Sequence, residues 1–184
     1  MVGTIGAARA LVALAAGLTL AAAAVVPPLS AQSATTSAPA TAVPSTNAFI
    51  AAAATGDLFE IETSKLAMER VGDPATKTFA RKLVQEHTAS TDELKTLVRA
   101  ATLEVSLPTT LEGEPARKLE QLRGLSGPAF ATAYAQMQEE ALKQTVTLFE
   151  SYATSGELPV LKDWAGRSLP ALRQNMRTAD SLTR

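Results

Sequence analysis

Four long stretches of this chain repeat their apolar residues at steps of three and four, each is bounded by helix start and stop signals, and no stretch alternates with period two for long enough to make a strand. That punctuation commits the chain to helices packed on helices. Ser45 and Thr46 offer caps to a first helix that runs to a stop at Gly72, the residue type that tolerates a left-handed position after a helix. Asp73-Pro74 restarts at once, a cap followed by proline in the first turn. The second helix runs from Pro74 to about Ala101 with Phe79, Leu83, His87, Ser90, Leu94 and Leu97 as its inner stripe. So short a break makes the two helices antiparallel neighbours.

Between Thr102 and Gly127 the pattern is broken by Pro108, Gly113, Pro115 and Gly124, and only Ala116 to Leu122 reads as a short helix. A third long helix follows Ser126, from about Gly127 to Thr154, with Phe130, Tyr134, Met137, Ala141, Leu148 and Tyr152 facing inward and Gly156 as its stop. Pro159 opens a fourth with Leu161, Trp164, Ser168, Leu172, Asn175, Ala179 and Leu182 on its inner stripe, kinked at Pro170. Short loop, long crossover, short loop is the order of the one-crossover four-helix bundles, the type that includes ferritin-like folds. The predicted fold is therefore all-α, two antiparallel helix pairs joined by a long crossover that contains a short helix.

Residues 1–56 carry one charged side chain, Arg9, followed by an apolar run from Ala10 to Val26, then Pro27-Pro28 and small residues. That order is a secretory signal peptide, expected over 1–31 with cleavage between 31 and 35; the competing reading is a membrane anchor. Export makes the expected location the periplasm or another extracytoplasmic space, with no stable membrane span once the leader is removed. The absence of cysteine excludes a lipoprotein anchor, disulfides and thiol catalysis. Residues 32–45, rich in Ala, Ser, Thr and Pro, read as a disordered linker, and 46–184 as one bundle domain. The formal net charge is −1 with both signs interspersed, so no nucleic-acid footprint is expected.

His87 is the only histidine, and it falls where the second helix should bury a hydrophobe. A sole imidazole on a core face is a ligand or a buried polar group that needs a partner. Glu60 and Glu62 on the first helix are candidates to meet it, because carboxylates and an imidazole from facing helices are the raw material of bundle-core metal sites; the alternative is a solvated flank. Glu86 adjoins His87 directly, so the two cannot form the Glu-x-x-His pair of di-iron bundles. Glu140 pairs naturally with Lys143 on the surface, and Tyr134 and Trp164 read as core. No G-x-S-x-G elbow is present, which weakens hydrolase chemistry.

The stretches GDLFEIETSKLAMERV, FARKLVQEHTASTDELKTL, LRGLSGPAFATAYAQM, TVTLFESYATSG and LKDWAGRSLPALRQNMRTADSL together resemble the family of domain of unknown function 4142, from Asn47 to Leu182. The resemblance implies an exported bacterial ferritin-like bundle. It implies a first-helix glutamate, matched by Glu60 or Glu62, and the histidine of an acidic-His-Thr motif, matched by Glu86-His87-Thr88. Two further family histidines are replaced here by Leu142 and Asn175, which leaves too few ligands for a closed zinc or iron site. The expectation is then a degenerate site: His87, Asn175 and Glu62 as a buried polar cluster, with no catalytic residue.

Two functions of different class follow. One is a non-catalytic cell-envelope bundle with a structural, stress-related or interaction role and an unidentified envelope partner. The other is a ferritin-like metal-binding protein or oxidoreductase that holds a divalent ion (Fe, Mn or Zn) on Glu60 or Glu62 and His87, with Glu139 or Glu140 contributing if the third helix turned them inward. A partner groove at Pro170 or along the 102–127 crossover is a third reading.

Overall fold

The computed structural model describes residues 43–183; the expected leader and the linker up to residue 42 lie outside the described residues. Five helices appear and, among the described residues, no strand: α1 (Thr46–Arg70), α2 (Pro74–Ala100), α3 (Gly113–Arg123), α4 (Gly127–Ser155) and α5 (Pro159–Leu182). The all-α bundle expected from the punctuation is the observed one. Helix α1 packs chiefly on α2 and α4 chiefly on α5, and α1 against α4 joins the two pairs. Helix α3 sits in the long connection and touches α1 and α4.

Local chemistry explains most boundaries. The Ser45 hydroxyl accepts from the Ala48 N–H at 3.4 Å, and Asp73 accepts from the Thr76 N–H at 2.7 Å, so both caps act as their residue types predict. Ser126 precedes α4 without a side-chain cap bond. Gly72 does not take the left-handed position expected of it; α1 ends instead because Val71 turns extended, with φ −81° and ψ 142°. The left-handed ending belongs to α2. Thr102 has φ +49°, its N–H bonds the Arg99 carbonyl, and the Leu103 N–H bonds back to the Val98 carbonyl at 3.1 Å. That pair of bonds is a Schellman ending with threonine where glycine is usual.

Two apolar ends and a polar middle make up the interior. At one end Phe49, Phe149, Tyr152, Leu94, Val98 and Trp164 form the largest cluster, with Phe49 stacked on Tyr152 at 3.9 Å between ring centroids. The Tyr152 hydroxyl also meets Thr46 at 2.8 Å, which fastens the start of α1. Towards the other end Ala67, Val71, Ala80, Leu122, Phe130 and Tyr134 pack together, beside Phe79, Leu83, Leu142 and Ala179. Between these along α1, α2 and α4 lie buried Asp57, Glu60, Thr63, Ser64, His87 and Gln138.

The inner face of α4 differs from the one expected. Gln138, Leu142 and Phe149 are buried, whereas Met137, Ala141 and Leu148 are half-buried flanks. Apolar residues on both sides of this helix allowed two stripes about 100° apart, and packing against α1 chose the one that contains a glutamine. Helix α5 continues through Pro170, which is exposed.

Candidate functional site

On α1 the residues Ile50, Ala53, Asp57, Glu60, Ser64 and Ala67 recur at steps of three and four, and all six are buried. That spacing is a continuous inward seam. It carries two carboxylates into the centre of the bundle, opposite His87 on α2 and Gln138 on α4. Glu60 and Gln138 are 0% exposed, His87 3% and Asp57 4%.

Asp57 holds the histidine. Its Oδ1 lies 2.7 Å from His87 Nδ1, and its Oδ2 accepts from the Thr91 hydroxyl, one turn further along α2, at 3.1 Å. Each carboxylate oxygen therefore has a donor. With Nδ1–H given to Asp57, the other ring nitrogen, Nε2, is the free functional end, and it has no hydrogen-bond partner. Neither oxygen of Glu60 has a partner either. Burial pushes the Glu60 carboxyl up to about 7, with Asp57 adding to the rise and His87 opposing it. Burial works against the charged imidazole of His87, but its hydrogen bond to Asp57 and the charges of Glu60 and Asp57 outweigh it and raise the His87 pKa.

Gln138 closes the group from α4. Its Nε2 donates to Thr63 Oγ1 at 3.0 Å, while the Thr63 hydroxyl donates to the Phe59 carbonyl at 2.7 Å. Because the Thr63 proton is committed to Phe59, Thr63 can only accept from Gln138, which fixes the orientation of the amide. Gln138 Oε1 is left buried and unpartnered. Next along the bundle Ser64 and the Tyr134 hydroxyl meet at 2.9 Å, and burial drives that phenol's pKa well above its usual range.

The residues expected at the site are divided by the structure. Glu60 and His87 come together. Glu62 does not join them: two residues on from Glu60 it projects from another side of α1, a third exposed, and pairs with Lys65 at 3.0 Å. Asn175 is buried, but its amide donates to Glu86 at 2.7 Å and accepts from Lys82 at 2.5 Å. In place of the expected cluster with Asn175 and Glu62, His87 bonds Asp57, because the carboxylate of α1 faces Nδ1 and the Lys82–Glu86 ion pair takes the asparagine. On α4, Glu140 is exposed and paired with Lys118 at 3.0 Å rather than with Lys143, and Glu139 accepts from Thr183 at 3.3 Å. Among the described residues no group of three or more His, Cys, Asp or Glu side chains is placed to hold a metal ion.

Asp57 and Gln138 were not anticipated, although a signal for both exists. Asp57 falls on the same seam as Ile50, Ala53 and Glu60, and Gln138 lies four residues from both Tyr134 and Leu142. Tracking the buried seam as a strict sequence of positions, polar residues included, places them inward where a count of apolar residues does not.

No described helix is long and apolar enough to cross a membrane. Among solved structures, the chain is similar to CopM in the Cu(II)-bound form, with a TM-score of 0.63 and 14% identity over 74% of this chain and 94% of that one, a likeness of fold. No curated protein matches the sequence. The family model for the domain of unknown function DUF4142 matches residues 30–182, and the chain belongs to that family.

Proposed function

We propose that this protein works outside the cytoplasm as a non-enzymatic helical bundle, exported by the apolar leader and released from it. The observation that carries the non-enzymatic part is enclosure. Asp57, Glu60, His87 and Gln138 are at most 4% exposed, and four clefts of the surface are lined by other residues. A 530 Å³ cleft walled by Gly56, Phe59, Pro115 and Ala141 also carries Thr55, Thr145, Glu114 and Lys118, but Lys118 is tied to Glu114 at 3.3 Å and to Glu140 at 3.0 Å, and no histidine reaches it. General acid–base chemistry needs a group within hydrogen-bond reach of a bound substrate, and the groups with shifted titration at the centre of the bundle, Glu60 and His87, are sealed from any.

Two measurements test this reading. Fractionation of cells making the full chain should recover the protein outside the cytoplasm, with a new N-terminus between residues 31 and 35; full-length protein in the cytoplasm contradicts it. His87 should resist carbethoxylation in the folded protein and react after unfolding. Rapid modification of the native protein would mean that solvent and substrates reach the imidazole.

A second reading, a ferritin-like metal-binding protein, is supported by one specific observation: His87 Nε2 and both oxygens of Glu60 are buried with no partner. Orphaned buried acceptors call for an explanation, and an ion is one. The Cu(II) of the CopM structure belongs to that protein and lends support only as a likeness of fold. In this reading Glu60, of the two glutamates expected, is the one that meets His87.

A further inference from the structure

We propose that Glu60, His87 Nε2 and Gln138 Oε1 form a mononuclear site for one divalent first-row transition ion, with Asp57 as the outer group that orients the histidine. This rests on the metal-binding reading and names its ligands. Among the described residues, the buried side-chain atoms with no partner are Glu60 Oε1, Glu60 Oε2, His87 Nε2 and Gln138 Oε1. They come from three different helices and occupy the same polar layer. Glu60 lies on α1 between Asp57, which bonds His87 at 2.7 Å, and Thr63, which bonds Gln138 at 3.0 Å, so the three side chains meet in this layer. Unsatisfied acceptors gathered in one place are what a bundle built around a cation presents once the cation is removed.

Among the described residues no three His, Cys, Asp or Glu side chains are placed to hold an ion, and the third donor of the proposed site is an amide. One imidazole nitrogen, one carboxylate and one amide oxygen form a borderline-to-hard donor set, suited to zinc, manganese or cobalt and lacking the thiolates that favour soft ions. The outer arrangement is complete as well. A metal-ligating histidine usually gives its other N–H to a carboxylate, which fixes the tautomer, and Asp57 accepts from Nδ1 at 2.7 Å while Thr91 steadies its second oxygen. Charge also balances. A dication beside the carboxylates of Glu60 and Asp57, with a neutral imidazole, leaves the enclosed layer with no net charge, which removes the penalty of burying Glu60 alone.

Because the layer is sealed, the ion should be supplied both to native protein and during refolding. The probe is Co²⁺, followed by its visible d–d absorption and by metal analysis after desalting, with Zn²⁺ as competitor. The expected result is about one equivalent bound by the wild type, displaced by zinc. Glu60→Gln, which keeps the shape and removes the charge, should lose the bound cobalt while its circular dichroism stays helical, and His87→Gln should do the same. Gln138→Leu should weaken binding at least about tenfold and Asp57→Asn by about 10- to 100-fold. Cobalt bound by the wild type and retained equally by Glu60→Gln would leave metal binding standing and overturn this site. No uptake by either route would overturn the metal-binding reading and the site together.

Discussion

Among single residues, Glu60 decides how stability responds to pH. In the metal-free protein its carboxyl is raised from an ordinary 4.5 to about 7, so between those values the native state holds a proton that the unfolded chain has released. The Glu60 contribution to stability therefore falls as pH rises from about 4.5 to 7 and levels off above. His87 acts in the same direction: its raised pKa gives a stabilisation that is full below 6.5 and is lost as pH rises through the native value. Glu60→Gln keeps the volume and abolishes the titration. It should stabilise the metal-free protein at pH 8 by an amount on the order of 3 kcal/mol and flatten the slope between pH 5 and 7, measured by urea unfolding at several pH values. A variant as pH-dependent as the wild type would show that Glu60 is not the titrating group. The isolation of His87 was legible in the sequence, as was a glutamate of α1 nearby. Asp57 did not stand out from the other acids, because which carboxylate reaches Nδ1 depends on the relative rotation of α1 and α2, a property of packing that no residue spacing encodes.

Among the elements, the helix ends carry the sharpest predictions. Thr102 completes the Schellman ending of α2 in a left-handed conformation that a β-branched residue adopts only under strain. Thr102→Gly should stabilise the protein by about 0.5–1 kcal/mol, seen as a rise in Tm; a drop would mean that the hydroxyl, which donates to the Ala101 carbonyl at 2.8 Å, matters more than the backbone. Gly156 makes the opposite case. It follows α4 with φ −63°, so its role is not conformational, but an added Cβ would lie 2.5 Å from the Tyr152 ring and 2.6 Å from the Tyr152 carbonyl. Gly156→Ala should destabilise by about 1–3 kcal/mol through that overlap. Unfolding of the alanine variant at wild-type denaturant concentrations would show that the turn can shift to make room. Caps at Ser45 and Asp73 were legible because a side chain and its helix are adjacent in sequence. The ends at Val71 and Thr102, and the inner face of α4, were not, since helix-to-helix contact settles them: Met137 and Gln138 are neighbours on one helix, and only the approach of α1 decides that the glutamine turns inward.

Taken whole, the bundle is an apolar core interrupted by one enclosed polar layer. Removing the anchor of the larger apolar end, Trp164→Ala, should cost about 3–5 kcal/mol. Chemical denaturation checks this, and a loss under about 1 kcal/mol would mean that the rings of Phe49, Phe149 and Tyr152 do not depend on it. The order of long and short connections identified the architecture from the chain alone, because a link as short as the three residues between α1 and α2 forces neighbouring helices antiparallel and a long crossover does not. The polar layer is a property of the helices assembled, and everything proposed for it depends on His87 being enclosed, held by Asp57 through Nδ1 and free at Nε2. As the sole histidine it gives one imidazole signal in the NMR spectrum, so a pH titration of the metal-free protein reads that arrangement directly. The expected outcome is a pKa above 6.5 and a neutral form protonated at Nδ1; an imidazole that titrates at or below 6.5, or whose neutral form carries its proton on Nε2, would refute the arrangement.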